Sequence, residues 1–106
     1  MHLAGISIYC GTKAAVTMLT KSMAVEFAPY KIRVNCVNPG FIDTVLVREI
    51  QPQFIEVIGK DVVPRSLVQE PTQATDAANA VLFLSSPLSA KTTGESLLVD
   101  SGISIH

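Results

Sequence analysis

Several residue types and patterns are scarce or missing in this 106-residue chain, and each absence excludes a class of protein. It has no tryptophan, only two tyrosines and four phenylalanines, and only two cysteines and two histidines. Two cysteines are too few for the disulfide framework of a small secreted domain. No C-x-x-C, H-E-x-x-H or His/Cys cluster offers a metal site. We therefore expect no metal and a reducing, cytoplasmic setting.

Charge and long apolar runs are also scarce. Charged residues make up 16% of the chain, the net charge is −1, and the eight Lys and Arg residues are scattered. Such a distribution gives no electrostatic surface for nucleic acid or for an anionic membrane. No apolar run reaches the ~18–20 residues that span a bilayer, and residues 1–4 lack the features of a signal peptide. We expect no nucleic-acid partner, no membrane span and no leader.

What the chain does contain is a large apolar fraction arranged periodically. It is 48% apolar and long enough for one domain at most, so residues 1–106 are expected to belong to a single domain. Residues 1–8 are predicted to be a loop or the end of a strand. Apolar residues at helical spacing then predict a helix from Gly11 to Ala28, which Pro29 ends. Its apolar face, wide enough for two packing partners, comprises Ala14, Ala15, Met18, Leu19, Met23, Val25 and Phe27.

The remainder of the chain predicts two strands and a second helix. Residues 32–37 are rich in β-branched side chains and predict a buried strand that ends at Asn38-Pro39-Gly40. A helix is predicted from Thr75 to Ser85, capped by Thr72 or Thr75, and a second strand from Ser96 to Val99. The order of elements predicts an α/β fold with a right-handed crossover if the strands are parallel.

Residues 45–72 have a broken helical pattern, interrupted at Pro52. A segment of this length with several prolines is typical of a lid or a substrate loop. Its apolar side chains are equally consistent with ordinary packing. Both interpretations stay open at the level of the sequence.

Tyr9 and Lys13 are the residue pair with a chemical interpretation. Two residues four positions apart at the start of a helix share one face. A phenol loses its proton near pH ~10, and a neighbouring ammonium lowers that pKa, so the pair is suited to general acid or base chemistry. Taken alone, the spacing is also that of an exposed lysine beside a half-buried tyrosine without a function.

Three motifs together resemble the short-chain dehydrogenase/reductase family. The sequence Tyr9-Cys10-Gly11-Thr12-Lys13 matches its Y-x-x-x-K. Residues 32–35 and 37–40, followed by Ile42-Asp43-Thr44, match its strand and P-G-x-x-x-T turn. Thr92-Thr93-Gly94 with residues 97–102 matches its T-G-x-x-x-x-V-D-x-G ending. The similarity covers essentially the whole chain and implies the C-terminal part of a Rossmann-type, doubly wound parallel sheet.

The resemblance implies an NAD(P)(H)-dependent oxidoreductase that interconverts a carbonyl and a secondary alcohol. Tyr9 would exchange the proton with the substrate oxygen, and Lys13 would lower the pKa of that tyrosine and bind the nicotinamide ribose. Pro39 and Gly40 would pass beside the nicotinamide, and the backbone of Ile42 and the hydroxyl of Thr44 would hold its carboxamide. The cofactor would be NADP or NAD, with NADP favoured.

Within the family, the chain is similar to carbonyl reductases of the L-xylulose reductase type. It also resembles 3-oxoacyl carrier-protein reductases and steroid-type dehydrogenases, and residues 45–72 do not choose among them. The resemblance further implies homo-oligomers through helix 11–28.

The family's glycine-rich dinucleotide loop and its catalytic serine and asparagine match nothing in this sequence. We therefore expect an incomplete domain without the N-terminal dinucleotide-binding half, marginally stable or associating, and inactive by itself. Three hypotheses follow: a carbonyl or alcohol oxidoreductase that is active only in its full-length form, a non-catalytic product that dimerises with a full-length relative, or a partial gene product without a role.

Overall fold

The structure, a computed structural model, describes residues 7–42, 49 and 53–103. Its elements are α1 (Ser7–Phe27), a 3-10 turn (Ala28–Tyr30), β1 (Cys36–Pro39), α2 (Gln53–Val57), a π-helical turn (Ile58–Val62), α3 (Val63–Arg65), α4 (Ala74–Ser85), a 3-10 turn (Pro87–Ser89) and β2 (Ser96–Val99). The two strands form a parallel two-stranded sheet. The chain divides into two compact units, residues 1–37 with 81–97 and residues 38–80 with 98–106. The predicted α/β class is confirmed.

The first helix ends where its sequence predicts. α1 runs for 21 residues to Phe27, and Pro29 then lies in the 3-10 turn that follows. A proline has no N–H for the helical ladder, so the α-helix stops before it. Lys31 closes the turn in the left-handed region at φ 59°, with its N–H donating to the Ala28 carbonyl at 3.0 Å. The helix begins at Ser7, ahead of the predicted start.

The face that α1 packs within its own unit is built on small side chains. Thr20 and Ala24 are buried, and a Cβ atom at Gly94 would lie 3.5 Å from the Cβ of Ala24. The helix therefore sits close to the loop before β2. Leu19, which the sequence places on the packed row, is instead 57% exposed. The packed position is therefore Thr20 rather than Leu19, because the small side chains allow the helix to approach the loop closely.

Arg33 joins three stretches of chain in this unit. Its guanidinium donates to the carbonyl of Thr92 at 3.0 Å, to that of Leu84 at 3.0 Å and to that of Ser86 at 3.5 Å. The last helical carbonyls of α4 lack partners within the helix, and a cation near them also favours the helix dipole. Arg33 thus acts as the C-terminal cap of α4 and fastens the loop before β2.

The predicted strand at residues 32–37 is wrong at its beginning, because β1 starts only at Cys36. Before that point the hydrogen bonds run through side chains: the N–H of Val34 donates to Thr93 Oγ1 at 3.1 Å, and Asn35 bonds the Thr92 carbonyl and the Glu95 N–H, each at 3.0 Å. Such bonds satisfy the backbone without a ladder. The second predicted strand, Ser96–Val99, is confirmed.

The N-terminus of α4 is stabilised by an acidic residue rather than by a threonine. The Asp76 carboxylate accepts the N–H of Gln73 at 2.7 Å. This is the carboxylate half of a capping box, and it also places a negative charge in the first turn. The predicted threonine cap is wrong, because Thr75 lies inside the helix and the hydroxyl of Thr72 bonds Ser101 Oγ at 2.8 Å.

The variable segment is helical from residue 53 to residue 65, with a π-helical turn in its middle. Its C-terminal end is packed, since Val62 and Ser66 are buried and Ser66 Oγ donates to the Val62 carbonyl at 2.6 Å. On the exposed side Lys60 pairs with Glu56 one turn away. Pro52, the predicted interruption, lies outside the described residues, and the predicted role as a substrate loop stays a prediction.

The exit of β1 is held tightly against the turn that follows β2. The N–H of Gly40 donates to the carbonyl of Val99 at 2.9 Å. A Cβ atom at Gly40 would lie 2.7 Å from the Cβ of Asp100 and 3.0 Å from its Cα. Real Cβ atoms do not approach this closely, so only glycine fits here without a shift of the backbone.

We expect Arg33→Met to lower the free energy of unfolding by about 2 kcal/mol, because the charge-assisted hydrogen bonds that join the end of α4 to the loop before β2 are lost. Arg33→Lys should recover only part of this, since an ammonium cannot reproduce the planar fork. Urea titration followed by circular dichroism measures both. Arg65→Met, at an exposed position, is the control, and an equal loss in that variant would contradict the assignment.

Gly40→Ala should cost about 1–3 kcal/mol through overpacking against Asp100. The matched change Gly11→Ala, where nothing lies within 4 Å of the added Cβ, should instead stabilise α1 by about 0.5–1 kcal/mol. Thermal unfolding of both variants provides the comparison. Equal stability of Gly40→Ala and the parent chain would show that the strand exit is less tightly packed than described.

Candidate functional site

The predicted proton-transfer pair lies in the first turns of α1. Tyr9, which is described by its backbone position alone, and Lys13 are one helical turn apart and so occupy the same face. Positions 20 and 24, which carry the buried Thr20 and Ala24, continue that face along the helix. Lys13 is exposed, and its carbonyl accepts a bond from Thr17 Oγ1 at 3.3 Å. Positions 9 and 13 therefore share the side of α1 that is packed farther along the helix at Thr20 and Ala24, while Lys13 itself is exposed.

This placement is favourable for a tyrosine that exchanges protons. A helix N-terminus carries a partial positive charge, which favours an anion in the first turn. An ammonium one turn away has the same effect on a phenol. These are general effects of a helix N-terminus and of a nearby cation, and the role of Tyr9 and Lys13 in proton transfer stays a prediction.

The predicted nicotinamide segment lies in the second unit. Pro39 is the last residue of β1, Gly40 follows it, and Ile42 forms an isolated parallel bridge with Thr72. The segment is therefore paired on both sides of Phe41. Thr44, the fourth predicted residue of this group, lies outside the described residues. Pro39, Gly40 and Ile42 therefore lie in one short stretch of backbone that leaves β1 and bends at Phe41.

Asp100, Ser101 and Thr72 support this segment, and the sequence assigned none of them to the candidate site. Asp100 is 7% exposed, and its Oδ1 accepts the Gly102 N–H at 2.9 Å. Ser101 adopts φ 57°, and its hydroxyl lies 2.8 Å from Thr72 Oγ1. Asp-Ser-Gly after a strand is a turn signal, which could have indicated the turn. Nothing in the sequence indicates the partner 29 residues away.

The first unit also contains a cleft of about 530 Å³ that lies apart from the predicted site residues. Its lining includes Lys31, Arg33 and Ser86, and none of the predicted site residues. The guanidinium in it already bonds three carbonyl oxygens. The guanidinium in this cleft therefore serves the C-terminal cap of α4. We keep the predicted residues as the candidate functional site.

Among the described residues, no helix combines the length and the apolarity that crossing a membrane requires.

Comparison with known proteins identifies close relatives. A family model described as enoyl-(acyl carrier protein) reductase matches residues 1–104. Carbonyl reductase [NADPH] 2 of Sus scrofa is 41% identical over 98 residues, which are 92% of this chain and 39% of the relative. L-xylulose reductase of Mesocricetus auratus is 44% identical over 102 residues, which are 94% of this chain and 40% of the relative. The chain thus spans well under half of the relatives it matches.

A solved structure shows the same arrangement of elements. The aldohexose dehydrogenase of Thermoplasma acidophilum, in ligand-free form, superposes with a TM-score of 0.85 at 35% identity. The match covers 100% of this chain and 44% of that one. The correspondence with the C-terminal part of a Rossmann-type sheet is thereby confirmed. By sequence and by fold, the chain belongs to the short-chain dehydrogenase/reductase family.

Proposed function

We propose that this chain is part of an NAD(P)(H)-dependent oxidoreductase that interconverts a carbonyl and a secondary alcohol. The observation that supports it is the placement of Tyr9 and Lys13 one turn apart at the start of α1, in a chain of an oxidoreductase family. Tyr9 is the general acid in reduction and the general base in oxidation. Its proton moves to or from the substrate oxygen.

The other predicted residues bind and orient. Bound NAD(P)H supplies the hydride, while Lys13 holds the nicotinamide ribose and favours loss of the Tyr9 proton. Pro39 and Gly40 would pass beside the nicotinamide as a surface without a bulky side chain, and the backbone of Ile42 with the Thr44 hydroxyl would hold the carboxamide. The packing of Gly40 against Asp100 supports a fixed position for this surface. In this proposal, Gly40 keeps the strand exit free of a side chain, and Tyr9 donates the proton from the helix.

The names of two relatives support a choice of cofactor and of substrate class. The porcine relative is named as an NADPH-dependent carbonyl reductase, and a second relative as an L-xylulose reductase. NADP is accordingly the favoured cofactor, and a small ketone the favoured substrate class. The two free cysteines, Cys10 and Cys36, favour a reducing, cytoplasmic setting. We retain residues 1–106 as part of one domain.

The 106 residues by themselves are expected to be inactive. They span 39% of the porcine relative, and the resemblance assigns only two catalytic residues within them. The activity is therefore best tested in a hybrid in which residues 1–106 replace the matching part of that carbonyl reductase. The isolated chain serves beside it as the expected inactive form.

In the hybrid, Tyr9→Phe should lower kcat for carbonyl-dependent NADPH oxidation by about 100-fold or more, because the proton donor is lost. NADPH affinity should change little, since the ring remains. The measurement is absorbance at the NADPH band, with L-xylulose and a 3-oxoacyl thioester as the two substrates. Tyr30→Phe, the same change at an exposed position, should leave kcat unaltered. Full activity of Tyr9→Phe would overturn the assigned role.

A second proposed role is association with another protein chain, and the exposed apolar side chains of α1 favour it. Apolar side chains are exposed along this helix, among them Ile8, Val16, Met18, Leu19 and Val25. Exposed apolar surface of this extent indicates a protein contact. We propose a homo-oligomer through helix 11–28. In the alternative, the chain is non-catalytic and uses the same surface to pair with a full-length relative.

Leu19→Lys should weaken this association by about 10-fold or more, because an apolar side chain is replaced by a charge in the contact. Sedimentation velocity over a concentration series measures it. Leu88→Lys, at an apolar position that is 84% exposed in the 3-10 turn after α4, is the matched control. A monomer in the parent chain, or equal effects of both substitutions, would contradict the proposed interface.

A further inference from the structure

Residues 40–42, proposed above to lie beside the nicotinamide and to hold its carboxamide through the backbone of Ile42, are anchored at two points. At one end Gly40 donates to the Val99 carbonyl at 2.9 Å and lies against Asp100. At the other end Ile42 pairs with Thr72. The two anchors come from distant parts of the sequence, yet both belong to the same compact unit. The position of residues 40–42 therefore depends on the contacts between the turn at Asp100 and the backbone at Thr72.

A pair of hydroxyl groups provides that link. Thr72 Oγ1 and Ser101 Oγ are 2.8 Å apart, and Thr72 is only 7% exposed. Ser101 directly follows Asp100, so the hydrogen bond closes a ring of contacts. The ring runs from Gly40 through Ile42 to Thr72, and through Ser101 back to the turn. This side-chain bond joins the two anchors directly.

Ser101 also fastens the variable segment. Its carbonyl accepts the N–H of Val68 at 3.0 Å, just beyond α3. One residue thus contacts the end of the predicted substrate segment and the support of the predicted cofactor segment. Its backbone is in the left-handed region at φ 57°, which is unfavourable for a residue with a Cβ atom. A serine in that conformation is less stable than glycine would be unless its hydroxyl contributes.

We propose that the Thr72–Ser101 hydroxyl pair positions the Gly40–Ile42 segment and thereby the carboxamide subsite of the cofactor. Thr72 and Ser101 are positioning residues, acting through the backbone of Ile42 and not on the substrate. The part of the proposal that concerns the cofactor rests on the proposed function. The part that concerns the segment stands on the contacts alone.

Ser101→Gly separates positioning from stability. The change removes the hydroxyl but relieves the left-handed backbone, so the melting temperature should stay the same or rise. Hydrogen–deuterium exchange of peptides covering residues 40–42 and 68–72 should nevertheless become about fivefold faster, the equivalent of one lost hydrogen bond. Thr72→Val should accelerate the same peptides, and Thr72→Ser, which keeps the hydroxyl, should restore the parent rates.

Thr20→Val is the control, because Thr20 is as buried as Thr72 but bonds locally to the Val16 carbonyl at 2.8 Å. It should leave exchange at residues 40–42 unchanged. Parent-like exchange there in both Ser101→Gly and Thr72→Val would overturn the proposal. So would an equal acceleration in Thr72→Ser, which would mean that packing rather than the hydroxyl holds the segment.

Cofactor affinity is measured on the same variants in the active hybrid. NADPH binding by fluorescence should weaken several-fold in Ser101→Gly and Thr72→Val and stay at the parent level in Thr72→Ser. Altered exchange with unaltered NADPH affinity would overturn the link to the carboxamide subsite. Absence of NADPH binding in the parent hybrid would count against the proposed function instead, while the exchange data would still decide whether the pair positions the segment.

Discussion

The register between β1 and β2 is the constraint on which the described structure depends. The Cys36 N–H donates to the Glu95 carbonyl and the Gly40 N–H to the Val99 carbonyl, both at 2.9 Å. These two bonds fix which residues lie opposite each other along the whole pair. A slip of one residue would turn every strand side chain to the opposite face. It would also take Gly40 away from Asp100, where only glycine fits.

The hydrogen bonds ahead of the strands secure that register. Arg33 and Asn35 both bond the Thr92 carbonyl, and Gly94 donates to the Val34 carbonyl at 2.7 Å. The sequence motifs around residues 33–35 and 92–94 are therefore two halves of one set of contacts. This explains in physical terms why both occur in this chain.

The elements that the sequence predicts well are those governed by local rules. Proline at position 29 ends α1, and the apolar run Ser96–Val99 forms β2 as predicted. The elements that it predicts poorly depend on distant partners. The strand start at Cys36 is set by side chains bonding residues 92–95, and β-branched content carries no information about such bonds.

The candidate site likewise contains local features that the sequence predicts and distant contacts that it does not. Y-x-x-x-K spacing and the P-G turn could be identified from the sequence, because each is a local pattern with a chemical reason. The support of the P-G turn could not, since the Thr72–Ser101 contact joins residues 29 positions apart. Sequence reasoning thus located the residues proposed to touch cofactor and substrate. The structure adds residues that contact the Gly40–Ile42 segment, namely Asp100 beside Gly40 and Thr72 paired with Ile42.

The central claim is that this chain carries the nicotinamide side of a dehydrogenase site. Titration of the isotope-labelled hybrid with reduced nicotinamide mononucleotide, followed by amide NMR of residues 1–106, tests it most directly, with adenosine monophosphate as the control ligand. The account predicts saturable shifts at Lys13 and at Gly40 and Ile42 with the nicotinamide ligand, and none there with the adenosine ligand. No saturable shift at these residues, or shifts confined to the cleft at Lys31 and Arg33, would contradict it.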